Sequence, residues 1–250
     1  MSVLDTIEKP IDRAVICTIT GDAGIGKTRL SATFPNPIFI RAEDGMQSIP
    51  IENRPDAFPL VQKVEDLWNQ LNTLINEKHS YRTVVIDSVT RLETLFIDYV
   101  VASDPKQPKS INQSLGGYGA GMLAVGAMHA RVRKACGILN SKGMHVVFIA
   151  HIDTNTIDLP DEDSYTRYDL RLGKKSIAPY VDDVDMVAFL KLETFTTGDG
   201  EKKKAMSDGT RLAICYTTAA NISKNRYGIT EPLTVIEGFN PFTNYIKTLN

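Results

Sequence analysis

The chain has 250 residues, 42% of them hydrophobic and 23% charged, so it carries enough apolar side chains to fold around a core. Its 28 Lys and Arg residues nearly balance its 30 Asp and Glu residues, and the net charge of −2 excludes a polybasic protein that binds nucleic acid along its whole surface. Any nucleic-acid site is therefore expected to be local.

The cysteines and the apolar runs indicate a soluble protein of the cytoplasm. The 3 cysteines lie far apart, which predicts neither a disulfide framework nor a zinc site. No apolar run approaches the roughly 18 residues that span a bilayer, and the first residues lack the pattern of a signal peptide. We expect no membrane partner.

Strands and helices alternate over the first 150 residues. A β-branched run at residues 14–20 predicts a buried strand, and a glycine-rich turn separates it from a helix that two prolines end. The remaining periodic segments predict strands at 38–40, 83–86 and 145–150 and helices at 64–75, 89–101 and 122–139. This order is typical of an α/β fold with a mostly parallel central sheet flanked by helices.

The rest of the chain has a different pattern. Residues 152–173 are polar and rich in acids, which predicts a long loop, and a loop of that length is usually functional or disordered. Residues 185–192 and 211–217 predict two strands joined as a C-terminal β-hairpin extension of the sheet. Because no long linker interrupts the chain, we expect a single domain over 1–250 with its core at about 14–228.

Residues 21–28 match the phosphate-loop pattern G-x-x-x-x-G-K-[ST], between a predicted strand and a predicted helix. Glycines allow backbone N–H groups to surround phosphates, the lysine reaches the β- and γ-phosphates, and the threonine is a Mg²⁺ ligand. A chance match is the alternative in this context. The pattern predicts ATP and Mg²⁺ as cofactors, bound by Gly21, Asp22, Ala23, Gly24, Ile25, Gly26, Lys27 and Thr28.

Asp87 ends the predicted strand at 83–86, in the same layer as the phosphate loop. A carboxylate in that place can complete the Mg²⁺ shell with Thr28. The alternative is that Asp87 caps the following helix, because Asp-Ser is also good N-cap chemistry. The two roles are compatible.

Hydrolysis also needs a group that orients or deprotonates water, and Glu43 follows the predicted strand at 38–40. Asp44 is the neighbouring competitor, and a solvated turn is the alternative for both.

His151 ends the predicted strand at 145–150, where it can sense the γ-phosphate and relay its presence to the next segment. A strand-end histidine without such a role is the alternative.

These segments resemble the RecA-type core ATPases. The similarity runs through GDAGIGKT, FIRAEDG, VVIDSVTRLE and HVVFIAH, in the family's order. It implies that Glu43 is the catalytic glutamate and that residues 152–173 form a mobile DNA-binding loop. The family's switch residue at the end of the last strand is commonly glutamine, so His151 is a departure in residue type.

Residues 223–230 resemble the Lys-x-Arg element of hexameric replicative helicases in the RecA superfamily. The resemblance implies that Lys224 and Arg226 reach into the nucleotide site of a neighbouring subunit. Self-association with nucleotide at the subunit interface would follow from it. A basic surface turn is the alternative for this segment.

The length is similar to that of phage-encoded, core-only members, which include single-strand annealing proteins. This resemblance implies a phage protein of the host cytoplasm that binds single-stranded DNA and promotes annealing in homologous recombination, with a single-stranded DNA-binding protein as a further expected partner. Two other classes stay open. One is a motor or loader of the hexameric-helicase type in replication or repair, and the other is a nucleotide-gated regulator without DNA binding.

Local cations and aromatic rings support a DNA site in the second half of the predicted loop. If that segment folds on binding, steps of three or four residues place its cations on one helical face. The acids at 158–163 would repel phosphate, and the lysines at 106, 109 and 202–204 are weaker candidates. The candidate contacts are Arg167, Tyr168, Arg171, Lys174 and Lys175.

Overall fold

The computed structural model describes residues 2–161, 163–197 and 204–250. Its helices are α1 (Lys27–Ser31), α2 (Val64–Asn76), α3 (Val89–Ser103), α4 (Ala120–Ser141) and α5 (Ala178–Val181). Its strands are β1 (Ile16–Gly21), β2 (Pro37–Arg41), β3 (Asp56–Ala57), β4 (Thr83–Asp87), β5 (His145–Ile157), β6 (Tyr165–Leu170), β7 (Met186–Leu192), β8 (Phe195–Thr197), β9 (Lys204–Met206), β10 (Arg211–Ile214), β11 (Lys224–Asn225) and β12 (Leu233–Thr234).

The main sheet has the strand order β12-β10-β7-β1-β5-β4-β2-β3. The six strands from β7 to β3 are parallel, and β10 joins this block antiparallel to β7. Gly21 aligns with His151 of β5 and with Leu190 of β7, so the strands reach the same edge of the sheet together. The predicted α/β class with a mostly parallel sheet is confirmed.

Both faces of the sheet are covered, which explains the unbroken apolar runs of its central strands. In β4, Val84 and Ile86 face one apolar layer that includes residues of α2, α3 and α4. Val85 faces the opposite layer, which contains Leu30 of α1 and Phe242 near the C-terminus. The core thus holds β1, β4 and β5 rigidly, and their carboxyl ends are the base on which the site is built.

The prediction of a loop over 152–173 is wrong. β5 continues to Ile157 and pairs antiparallel with β6, with Ile152 opposite Leu170 and Ile157 opposite Tyr165. The segment reads as polar because residues 153–156 are all polar and all exposed, in a hairpin that water reaches on both faces. Arg167 lies in β6, and Arg171, Lys174 and Lys175 follow this strand outside any helix, so the free protein does not present them on one helical face. The helical face expected on DNA binding stays a prediction.

The predicted C-terminal hairpin extension is confirmed, because β7 and β10 pair antiparallel with Leu190 opposite Ala213. Beyond them β8 and β9 form a second, two-stranded pair. Lys202 and Lys203 of the predicted tip lie outside the described residues. In the part of the chain that the structure describes, no helix is long and apolar enough to cross a membrane.

Candidate functional site

A cavity of about 520 Å³ opens at the carboxyl edge of the sheet. The turns after β1 and β2, the last residue of β4 and His151 within β5 line it from one side, and the first residue of β10 lines it from the other. The predicted phosphate loop, both predicted metal ligands and the predicted base therefore meet in one cavity. Its lining consists of Ala23, Gly24, Gly26, Lys27, Thr28, Arg29, Glu43, Asp44, Gly45, Ser48, Asp87, His151 and Arg211.

The ammonium group of Lys27 is buried inside the phosphate loop. Its Nζ atom donates hydrogen bonds to the carbonyl oxygens of Gly21 and Asp22, each at 2.8 Å. Burial lowers the pKa of Lys27, although the carboxylates of Asp87 and Glu43 oppose this shift. These carbonyl oxygens hold the ammonium group within the loop, and an anionic ligand bound there would compete with them for its hydrogen bonds.

Thr28 and Asp87, the two predicted metal ligands, are in direct contact. Thr28 Oγ1 donates to Asp87 Oδ2 at 2.9 Å, and Asp87 is 1% exposed. Burial raises the pKa of Asp87 to about 6. Ser88, rather than Asp87, caps α3, because its hydroxyl accepts a hydrogen bond from the backbone N–H of Arg91.

The space beside this pair fits a small cation. A Cβ atom on Gly45 would lie 3.1 Å from Thr28 Oγ1 and 3.4 Å from Asp87 Oδ2, so a side chain at position 45 would crowd both oxygens. Within the described residues no cluster of three or more His, Cys, Asp or Glu side chains could hold a metal. One hydroxyl and one carboxylate suit Mg²⁺ that takes its other ligands from phosphates and water.

Glu43 and His151 are in direct contact in the cavity, at 2.9 Å between Glu43 Oε1 and His151 Nε2. The hydrogen bond to His151 is the largest cause that lowers the pKa of Glu43, so this carboxyl group is ionised at neutral pH. Asp44, its competitor, instead binds the side chains of Arg41 and Gln47. Glu43 is thus bonded to a residue that lines the cavity, His151, whereas the partners of Asp44 do not line it.

His151 lies where the buried part of β5 passes into the β5–β6 hairpin. Its backbone N–H donates to Thr90 Oγ1, and its carbonyl oxygen accepts from the backbone N–H of Arg171. Residues of β5 before His151 are buried, whereas residues 153–156 are exposed. His151 is thus hydrogen-bonded both to α3 and to the residue that follows β6.

The predicted DNA contacts have unequal surroundings. Arg167 forms an ion pair with Asp169 at 3.4 Å, and the ring of Tyr168 stacks on Phe189 with 5.3 Å between centroids. The positive charge of Arg171 acts on Lys27 and contributes to lowering its pKa. Arg171 is therefore close to the phosphate loop, at the base of the hairpin.

Lys174 and Lys175 follow the hairpin as exposed residues. No ion pair between described residues includes either of them. Of the five predicted contacts, these two lysines and Arg171 are the exposed cations that form no ion pair with a described acid.

Lys224 and Arg226 lie at the amino ends of the parallel strands, opposite to the carboxyl ends that carry the cavity. Lys224 Nζ donates to the carbonyl oxygen of Asp182, and Arg226 Nη1 is 3.2 Å from Asp185 Oδ1. The same Asp185 carboxylate accepts from the backbone N–H of Ile16, at the start of β1, whereas the phosphate loop follows its end. The two cations are thus remote from the cavity of their own chain.

Sequence reasoning missed two arginines of the cavity. Arg29 donates to the carbonyl oxygen of Ser48 and pairs with Glu237. Arg211 comes from the far side of the sheet and belongs to no motif. Position next to the phosphate loop could have indicated Arg29, but no sequence signal could have indicated Arg211.

A phosphate loop after the central strand, a strand-end aspartate beside its threonine and a parallel sheet define a RecA-like P-loop ATPase. A family model described as "AAA domain" matches residues 13–227, and the chain belongs to this family. This assignment establishes a nucleotide-binding P-loop NTPase.

The chain is also similar to two known proteins. It is 24% identical over 231 residues to the SPbeta prophage-derived uncharacterized protein YorG of Bacillus subtilis (strain 168), covering 90% of this chain and 62% of that protein. The chain thus spans less than two thirds of this relative's length. A KaiC-like protein, PH0186 of Pyrococcus horikoshii OT3, aligns at a TM-score of 0.45 and 12% identity, over 89% of this chain and 85% of that one. The prophage origin of YorG agrees with the expected phage type.

Proposed function

We propose that this chain is a Mg²⁺-dependent ATPase that binds single-stranded DNA and promotes annealing in homologous recombination. The observation that carries the proposal is the continuity of β5. This strand contacts the proposed catalytic glutamate through His151 and then runs without interruption into an exposed hairpin with cations at its base.

The residues of the cavity support ATP hydrolysis. The ionised carboxylate of Glu43 can accept a hydrogen bond from the attacking water and orient it, while His151 holds the carboxylate in place. Thr28 and Asp87 would hold Mg²⁺, which offsets negative charge on the phosphates when bound. Lys27 would exchange its loop carbonyls for phosphate oxygens, which are the stronger acceptors because they are charged.

Glu43→Gln tests the hydrolytic role. The variant should keep its affinity for nucleotide and lose turnover by about 100-fold or more, the usual contribution of a general base. Asp44→Asn is the matched control, because it removes the adjacent carboxylate and should retain turnover. Turnover by Glu43→Gln at the wild-type rate would refute the assignment.

Arg171, Lys174 and Lys175 support DNA binding because they are exposed and form no ion pair with a described acid, and Arg171 lies close enough to Lys27 to influence its charge. Three cations can contact only a few phosphates, so affinity should be modest for one chain and should fall steeply with salt. Repetition of the same site in an assembly would raise it. A single-stranded DNA-binding protein is a further proposed partner.

Fluorescence anisotropy with a labelled single strand tests this part, with and without ATP and Mg²⁺, over a range of salt. The double variant Lys174→Gln with Lys175→Gln should bind more weakly and show a shallower salt dependence. The control Lys9→Gln with Lys78→Gln removes the same charge from exposed positions elsewhere. Absence of strand binding by the wild type would favour the nucleotide-gated regulator instead.

A motor or loader of the hexameric-helicase type is the second candidate. It is favoured by the position of Lys224 and Arg226, which are remote from their own phosphate loop and could serve a neighbour's. Arg226→Ala should then leave nucleotide binding to the monomer unchanged and reduce turnover by the assembled protein. An unchanged rate over the concentration range in which the protein assembles would argue against a role in trans.

A further inference from the structure

Arg211, the first residue of β10, reaches the phosphate loop from an unexpected side. In the sheet order, β5, β4 and β2 lie on one flank of β1, whereas β7 and β10 lie on the other. Asp87 and Glu43 belong to the first flank, and Arg211 to the second. The loop therefore lies between an acidic flank and an arginine.

The guanidinium of Arg211 is packed directly on Gly26. A Cβ atom at position 26 would lie 2.5 Å from Arg211 Nη1, and Gly26 also has a φ of +101°. Only glycine satisfies both conditions without displacing the arginine or straining the loop. The close contact places the positive charge at the loop residue immediately before Lys27.

Arg211 has no protein partner in the part of the chain that is described. None of the side-chain hydrogen bonds or ion pairs between described residues includes its guanidinium, although the side chain is partly buried. Arg29, the other arginine of the cavity, is held by Ser48 and Glu237. The donors of Arg211 are thus available to a ligand in the cavity.

We propose that Arg211 binds the phosphate chain of the nucleotide held in its own chain's cavity. The inference rests on the proposed nucleotide site and adds a residue to it. Because the metal ligands and Glu43 lie on the opposite flank, the end of the nucleotide that is hydrolysed belongs there. Arg211 therefore contacts the part of the phosphate chain that ATP and ADP share.

A guanidinium suits this position. Its planar fork can donate two parallel hydrogen bonds to one phosphate, whereas Lys27 supplies a single point charge. The fork is carried by a strand of the sheet, since Arg211 pairs with Leu192 of β7. The contact should therefore stabilise bound nucleotide without taking part in the cleavage step.

Binding of fluorescent ATP and ADP analogues to Arg211→Gln, Arg211→Lys and the wild type tests the proposal. Loss of a charge-assisted hydrogen bond should raise Kd on the order of tenfold for both nucleotides in Arg211→Gln. Arg211→Lys should lie between the wild type and Arg211→Gln. At saturating nucleotide, kcat should stay within about twofold, because the lost contact is made equally before and during reaction.

Two controls make the outcomes decisive. Lys191→Gln removes an exposed cation of the neighbouring strand that does not line the cavity, and should bind like the wild type. Lys27→Ala marks the signal of a disabled phosphate loop. Circular dichroism identifies a variant that fails to fold, and Arg211→Lys then carries the comparison alone.

Wild-type affinity in Arg211→Gln would overturn the inference while leaving the proposed function intact. Weakened binding of ATP with unchanged binding of ADP would overturn the placement on the shared phosphates. If added Lys27→Ala subunits restored nucleotide binding by Arg211→Gln, the arginine would act between chains, which would overturn its assignment to the cavity of its own chain. No binding of either nucleotide by the wild type would overturn the proposed function as well.

Discussion

Replacement of Asp87 by Asn should stabilise the nucleotide-free protein at neutral pH while destroying its metal site. Asp87 is 1% exposed, and burial raises its pKa from 3.8 to about 6. Asn keeps the size of the side chain and an oxygen that can accept from Thr28 Oγ1, but it carries no charge. The substitution therefore removes the cost of burying a carboxylate.

The magnitude follows from the two pKa values. Because the folded state binds the proton more tightly than the unfolded state, the cost is absent well below pH 3.8, grows as the pH rises, and is complete above about 6. A shift of about 2 pKa units corresponds to about 3 kcal/mol of unfolding free energy at neutral pH. At pH 4 the same cost is under about 1 kcal/mol.

Urea unfolding of both proteins in EDTA at several pH values between 4 and 7.5 measures this difference. Asp87→Asn should be about 3 kcal/mol more stable than the wild type at pH 7 and nearly equal to it at pH 4. In a second arm, Mg²⁺ and ATP should raise the melting temperature of the wild type and have a much smaller effect on the variant. A stability difference that does not change with pH would refute the reasoning.

Two further substitutions test the site and the core. Gly45→Ala should raise the Mg²⁺ concentration needed for nucleotide binding several-fold, because its Cβ would crowd Thr28 Oγ1 and Asp87 Oδ2; an unchanged Mg²⁺ titration would contradict this. Tyr180→Phe should lower the free energy of unfolding by about 1–3 kcal/mol in urea, because it removes the 2.7 Å hydrogen bond between the Tyr180 hydroxyl and Nδ1 of His129. The other ring nitrogen of His129, Nε2, is buried and has no hydrogen-bond partner among the described residues, so the ring would lose its one such contact. Nucleotide affinity should stay at the wild-type value in Tyr180→Phe, and a change below 0.5 kcal/mol, about the size of a neutral surface substitution, would contradict the expected loss.

The order of the elements and the phosphate-binding turn could be predicted because local signals determine them. A run of β-branched residues forms a strand buried on both faces, and the glycines of residues 21–28 permit the tight turn that follows. The β5–β6 hairpin could not be predicted in this way. Its Thr-rich strands are stabilised by cross-strand pairs such as Thr154 with Tyr168, and the ring of Tyr168 packs on Phe189 of a distant strand.

The sequence by itself determined an α/β nucleotide-binding fold and identified Lys27, Thr28 and Asp87. Each of these residues belongs to a short segment whose residue types and spacing indicate its role without reference to the rest of the chain. Only the tertiary structure decided that Glu43 contacts His151, 108 positions away, and that Arg211 lies on the phosphate loop. The physical reason is that the order of strands in a sheet is set by packing and not by position in the chain. Residues from remote segments therefore meet at the carboxyl edge, where the parallel strands end.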